Sequence, residues 1–104
     1  MMKKYILDVH DQPVACEDVL RWGRWFEGAD NQRIVAKTPF GDGEVSTVFL
    51  GLDHSFTGGP PVLWETMIFG GPHDGWQDRY TSRANALAGH TQHAVKIAMG
   101  EVAP

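Results

Sequence analysis

The chain has 104 residues, a net charge of -4 at neutral pH and 42% hydrophobic residues, including four Trp, five Phe and two Tyr. That is enough for one domain with one core, and a 21% charged fraction beside so many aromatics excludes the disordered class. Nine scattered Lys and Arg are too few for the basic footprint that grips a phosphate backbone, so composition argues against nucleic acid as a partner. Arg21, Arg24 and Arg33 amount to a small local patch at most.

A single cysteine, Cys16, excludes an intrachain disulfide and suits a reducing cytosol. The opening residues carry the two lysines of a signal peptide, Lys3 and Lys4, but Asp8 and His10 interrupt the apolar run at once. No stretch approaches the roughly 20 apolar residues that cross a bilayer. The expectation is a cytoplasmic protein with no membrane partner.

Along the chain, Tyr5 to Val9 alternates as a half-buried strand does, with Tyr5, Leu7 and Val9 on one side. His10-Asp11-Gln12-Pro13 reads as a turn and Val14-Ala15 as a short return strand. A helix is predicted from Glu17 to Glu27: Val19, Trp22, Gly23 and Phe26 share a face, acidic residues open it and Gly28 closes it. Trp25 lies beside the buried stripe.

Ile34 to Lys37 and Glu44 to Leu52 read as a hairpin around Pro39-Phe40-Gly41-Asp42-Gly43. In the second arm Val45, Thr47 and Phe49 oppose Val48, Leu50 and Leu52. Such a strand is either covered on both faces, or covered on one and paired in an oligomer, which makes a homodimer one expectation. After the Gly58-Gly59-Pro60-Pro61 loop, the strand Val62 to Phe69 turns through Gly70 to Gly75 into a short strand at Trp76 to Tyr80.

Thr81 or Ser82 can cap the last helix. Its expected inner stripe is Ala84, Leu87, Ala88, Thr91, Val95 and Ala98, with His90 flanking the stripe and His93 turned towards solvent. Gly89 costs such a helix about 1 kcal/mol relative to Ala and so marks close packing. Glu101 to Pro104 are expected to fray. The expected fold is α+β, an antiparallel sheet of about four to five strands with two helices on one face, as a single domain over residues 1–104.

Residues able to carry chemistry are few. Asp53-His54 and His73-Asp74 are polar candidates at strand ends in Gly-rich loops, where functional groups are often displayed. Were the loops to meet, an acid/base or metal site would form; Asp and Gly are also ordinary turn formers. His90 and His93, three apart on a helix, lack any HExxH or CxxC companion. Glu65, between Leu63 and Met67 on one strand face, calls for an ion-pair partner, with Arg79 or Arg33 available. No catalytic residue, metal ligand set or cofactor fingerprint is assigned. The aromatics Trp25, Phe40, Phe56 and Trp76 fall in loops or at element edges and are the candidate contact surface, since Trp and its like anchor protein interfaces.

The segments Arg24-Trp25-Phe26-Glu27, Val45 to His54 and Glu65 to Gly71, with Asp78-Arg79-Tyr80 and Ala88-Gly89-His90 after them, resemble small uncharacterised accessory proteins of tailed bacteriophages and prophages. The resemblance spans Tyr5 to His90. It implies expression in a bacterial cytoplasm and carries over no catalytic residue. Three functions stand open: a binding module acting on a host protein, inhibition of host defence being one form; a protein that sequesters a nucleotide-like small ligand; and a metal-dependent hydrolase built on Asp53, His54, His73 and Asp74.

Overall fold

A computed structural model describes residues 2–56 and 58–100, with the backbone alone for Asp30 and Asn31. The fraying expected for Glu101 to Pro104 lies outside the described residues. Strands β1 (Tyr5–Leu7) and β2 (Pro13–Ala15) form a hairpin. Its turn is held by Asp8, whose Oδ1 accepts the backbone N–H groups of His10 (2.8 Å) and Gln12 (3.0 Å). Those two bonds favour the carboxylate and hold the Asp8 pKa below its ordinary value.

Helix α1 (Val19–Gly28) starts two residues later than expected, because Asp18 Oδ1 accepts the N–H groups of Leu20 and Arg21 and so caps the first turn. Val19, expected inside, is 59% exposed. The helix docks instead through Trp22, Trp25 and Phe26. Trp22 Nε1 donates to the carbonyls of Tyr5 and Gly51, and Trp25 meets Phe49 edge-to-face at 5.9 Å. A short turn, α2 (Asp30–Arg33), leads into the sheet.

That sheet has four antiparallel strands in chain order: β3 (Ile34–Phe40), β4 (Gly43–Phe49), β5 (Trp64–Phe69) and β6 (Gln77–Tyr80). Pro39 is tolerated because β3 is an edge strand. The β3–β4 turn is tighter than expected, two residues between Phe40 and Gly43. Helix α3 (Arg83–Ala98) packs across all four strands and is capped by Ser82, whose Oγ accepts the Asn85 N–H at 3.0 Å. The fold is α+β, as expected.

Register assigns the sheet's two faces. On the helix side, Val45 and Ile68 pair with Thr38, Thr47 and Thr66 with Ala36 and Asp78, and Phe49 and Trp64 with Tyr80. Leu7, Phe49, Leu63, Trp64 and Ala86 make one core cluster, with Trp25 and Tyr80 packed on it. Val45 and Ile68 make a second, against Phe40, Trp76 and Ile97.

The inner face of α3 differs from expectation. Its buried residues are Ala86, Gly89, His90 and His93, almost diametrically opposite the Ala84, Leu87, Ala88, Thr91, Val95, Ala98 stripe at 100° per residue. Leu87 and Val95 are 37% and 48% exposed. The reason is the surface beneath: a row of threonines crosses the centre of the sheet, and hydroxyls that leave water must find partners. His90 supplies one to Thr38 and Thr47, and Leu87 cannot.

Candidate functional site

Beneath α3 one polar side chain from each strand joins a single hydrogen-bonded row. Thr38 Oγ1 (β3) meets His90 Nε2 at 2.8 Å, and Thr47 Oγ1 (β4) meets His90 Nδ1 at 2.7 Å. Thr47 Oγ1 also meets Thr66 Oγ1 (β5) at 2.6 Å, and the Tyr80 hydroxyl (β6) donates to Thr66 Oγ1 at 3.1 Å. Both nitrogens of His90 are therefore engaged. A neutral ring satisfies the row when Tyr80 donates to Thr66, Thr66 to Thr47, Thr47 to Nδ1, and Nε2–H to Thr38.

One turn further on, His93 packs its ring against Trp76 with centroids 4.1 Å apart and holds Nε2 3.7 Å from Asp78 Oδ2. Burial pushes both imidazoles below their ordinary pKa. For His90 the proximity of His93 adds to this, and for His93 the Asp78 carboxylate partly opposes it. Gly89 lets Tyr80 lie directly against the helix backbone, since a Cβ there would overlap the Tyr80 ring.

The loop candidates do not converge. Asp53 and His54 follow the Phe49 end of β4, whereas His73 and Asp74 lie in the turn beyond the Phe69 end of β5. Six registered pairs from Phe49–Trp64 to Glu44–Phe69 separate the two ends, about 17 Å at roughly 3.4 Å per residue. Each acid organises its own loop. Asp53 Oδ1 accepts the N–H groups of Ser55 (2.8 Å) and Val62 (2.9 Å), and Asp74 Oδ1 accepts that of Gly70 at 2.7 Å. His54 Nδ1 lies 2.8 Å from the Leu52 carbonyl, which fixes the ring. Among the described residues no three His, Cys, Asp or Glu side chains are grouped closely enough to hold a metal ion.

Nor do the four aromatics form one surface. Trp25 is half-buried against Phe49. Phe40 and Trp76, also half-buried, close the second core cluster. Phe56 stands apart in the β4–β5 loop at 82% exposure. Beside the second cluster, Phe40, Ile68, Pro72, His73 and Ile97 line a largely apolar cavity of about 330 Å³.

A candidate site that residue types alone do not single out is the other face of the sheet. Both long helices lie on the Thr47 side. On the far side Ile34 opposes Val48, Met67 lies diagonally from Val48, and Phe69 follows two residues on. Phe69 is 47% exposed and Ile34 36%. Charged cross-strand pairs flank this strip: Arg79 Nε bonds Glu65 Oε2 at 2.9 Å, and Lys37 Nζ lies 3.9 Å from Glu44 Oε1. Glu65 is thus paired across the sheet in register, as its position among apolar neighbours required. A recess of about 400 Å³ opens on this face between Ile34, Lys37, Glu44, Ser46, Val48 and Phe69. Of Val48, Leu50 and Leu52, the residues expected on the second side of the strand Val45 to Leu52, only Val48 lies on this face, because β4 ends at Phe49.

Comparison with known proteins adds no relative: no family model matches the chain, and no curated protein or solved structure matches it. No helix among the described residues is long and apolar enough to cross a membrane.

Proposed function

We propose that this chain is a binding module that engages a protein partner through the open face of its four-stranded sheet. One observation carries the reading: the strip Ile34, Val48, Met67 and Phe69 stands on a face where an antiparallel sheet facing water alternates to polar residues. An apolar centre flanked by the Lys37–Glu44 and Glu65–Arg79 pairs has the anatomy of a protein interface. The groups able to do chemistry, His90, Asp53 and Asp74 among them, are engaged in internal hydrogen bonds, which favours binding over catalysis. The resemblance to phage and prophage accessory proteins supports a host protein as partner, in the bacterial cytoplasm, with inhibition of a host defence as one outcome of binding.

The test is a pull-down from bacterial lysate with the parent chain and with Phe69→Asp, both checked for folding by circular dichroism. A host protein captured by the parent and lost with Phe69→Asp supports the reading; equal capture by both overturns it. Phe56→Ala and Trp76→Ala in the same experiment separate the open face from the aromatic loops. Light scattering shows whether a second copy of the chain is the occupant. The apolar cavity favours a second reading, sequestration of a small ligand, since 330 Å³ falls in the range of small-molecule sites. Native mass spectrometry of the purified protein finding no co-purifying small molecule counts against it.

A further inference from the structure

Helix α3 is held to the sheet in an unusual way. Its buried contacts come from Ala86, Gly89, His90 and His93, while Leu87 and Val95, the larger aliphatic side chains before Ile97, face outwards. Ile97, packed on Val45 and Ile68, supplies apolar anchoring at its C-terminal end. Docking in the middle of the helix therefore depends on two imidazoles that are 5% and 4% exposed.

The surroundings of those rings suit the neutral form. His90 faces Thr38 on β3, Thr47 on β4, and through Thr47 the Thr66–Tyr80 pair on β5 and β6. None of these is charged, and burial pushes the Tyr80 hydroxyl further up, so it stays neutral throughout the range that matters. On its own helix the nearest titratable neighbour is His93, a second potential cation. His93 faces Trp76 and, from β6, the carboxylate of Asp78; Lys96 on its own helix opposes a positive charge. Its Nδ1 is buried with no hydrogen-bond partner among the described residues. Two protons would thus place two cations a turn apart, with Lys96 and one carboxylate, that of Asp78, acting on His93.

We propose that α3 is a proton-released cover: protonation of His90 and His93 detaches the helix from the sheet and uncovers the inner face of β4 and β5. Undocking puts both rings in water, where the charged form is no longer penalised, so the released state binds protons that the docked state excludes. The sign follows by linkage. Docking is at full strength above the ordinary histidine value of about 6.5 and weakens as pH falls below it, because the docked values lie lower. Release exposes Val45, Thr47, Thr66 and Ile68, all fully buried in the docked form. This is a second surface, distinct from the open face and independent of it.

Native-state hydrogen exchange of the full chain between about pH 7.5 and pH 5 tests it, with amides 86–97 read against those of β4. Each imidazole kept neutral by docking contributes up to about a tenfold rise in the opening constant per pH unit below its ordinary value. The expected result is an α3 opening constant that climbs by more than tenfold per unit while β4 remains protected. His90→Gln and His93→Gln should each remove about tenfold per unit of that slope. A flat α3 profile, a slope that survives both substitutions, or β4 opening in step with α3 overturns the proposal. Should a variant fail to fold, the parent still decides by nuclear magnetic resonance. Titration of either buried ring near 6.5 while α3 amides stay protected would refute the mechanism.

Discussion

Replacing Gly89 by Ala sets two well-defined effects against each other. In an exposed helix the change would stabilise the protein by about 1 kcal/mol through backbone entropy. Here a Cβ at this position overlaps the Tyr80 hydroxyl and the ring carbons next to it, and Tyr80 has little room to yield. It packs on the cluster of Phe49, Leu63, Trp64 and Ala86, and its hydroxyl is tied to Thr66 at 3.1 Å. Forcing a methyl into such a contact costs about 1–3 kcal/mol, and displacing the hydroxyl from Thr66 costs roughly 1 kcal/mol more. The balance is a net destabilisation of about 1–3 kcal/mol. Urea denaturation followed by tryptophan fluorescence measures it as a lower midpoint at unchanged slope. The double-mutant cycle with Tyr80→Phe locates the cause: without the hydroxyl the clash is smaller, so the two substitutions should cost less together than the sum of each alone. If Gly89→Ala is as stable as the parent, or more so, α3 does not sit where the overlap requires and the packing argument fails.

Three further outcomes follow from the same contacts. Thr47→Val keeps the shape of a fully buried side chain but removes the hydroxyl between His90 Nδ1 and Thr66. It should cost about 1–3 kcal/mol by the same denaturation assay, and a neutral result would mean the row contributes little. Asp18→Ala removes the α1 cap and should cost about 1 kcal/mol. Asp18→Asn should restore most of that, and a loss equal to that of Ala would point to charge rather than capping. Arg79→Ala takes the guanidinium away from a Glu65 carboxylate whose side chain is only 12% exposed, so stability should fall by about 1–3 kcal/mol, more than an exposed ion pair contributes. A loss below about 0.5 kcal/mol would show that Glu65 does not depend on Arg79.

Much of this fold is legible in the sequence because its punctuation is strong. Gly-Asp-Gly, Gly-Gly-Pro-Pro and Gly-Gly-Pro-His-Asp-Gly separate runs whose alternation has the strand period, and Ser82 stands where the last helix begins. Glu65 among apolar neighbours called for an ion-pair partner, Arg79 or Arg33, since an unpaired acid on that face would be costly, and Arg79 is the one that meets it. The α1 boundary is off by two residues at its start because Asp18 serves better as a cap than as a first-turn residue. The face of α3 was not legible. Its apolar residues are mostly alanines, which gain little from burial, so the stripe they form with Leu87 and Val95 is too weak to set the helix's orientation. The decision falls to the opposing surface, and that surface is assembled from four strands.

The same point separates the two candidate features. The open face could be read locally only in part, through Val48, since Leu50 and Leu52, expected beside it, lie beyond the end of β4. The row under α3 could not, because Thr38, Thr47, Thr66 and Tyr80 are ordinary strand residues until register sets them side by side. Once they are aligned, polar groups leaving water must be met by polar groups from above. The helix is then turned by hydrogen bonding against its own apolar pattern, leaving Leu87 and Val95 in solvent. The physics that makes α3 hard to orient from sequence is also what makes its docking sensitive to protons. A helix seated on aliphatic side chains would have been predicted correctly and would be indifferent to pH.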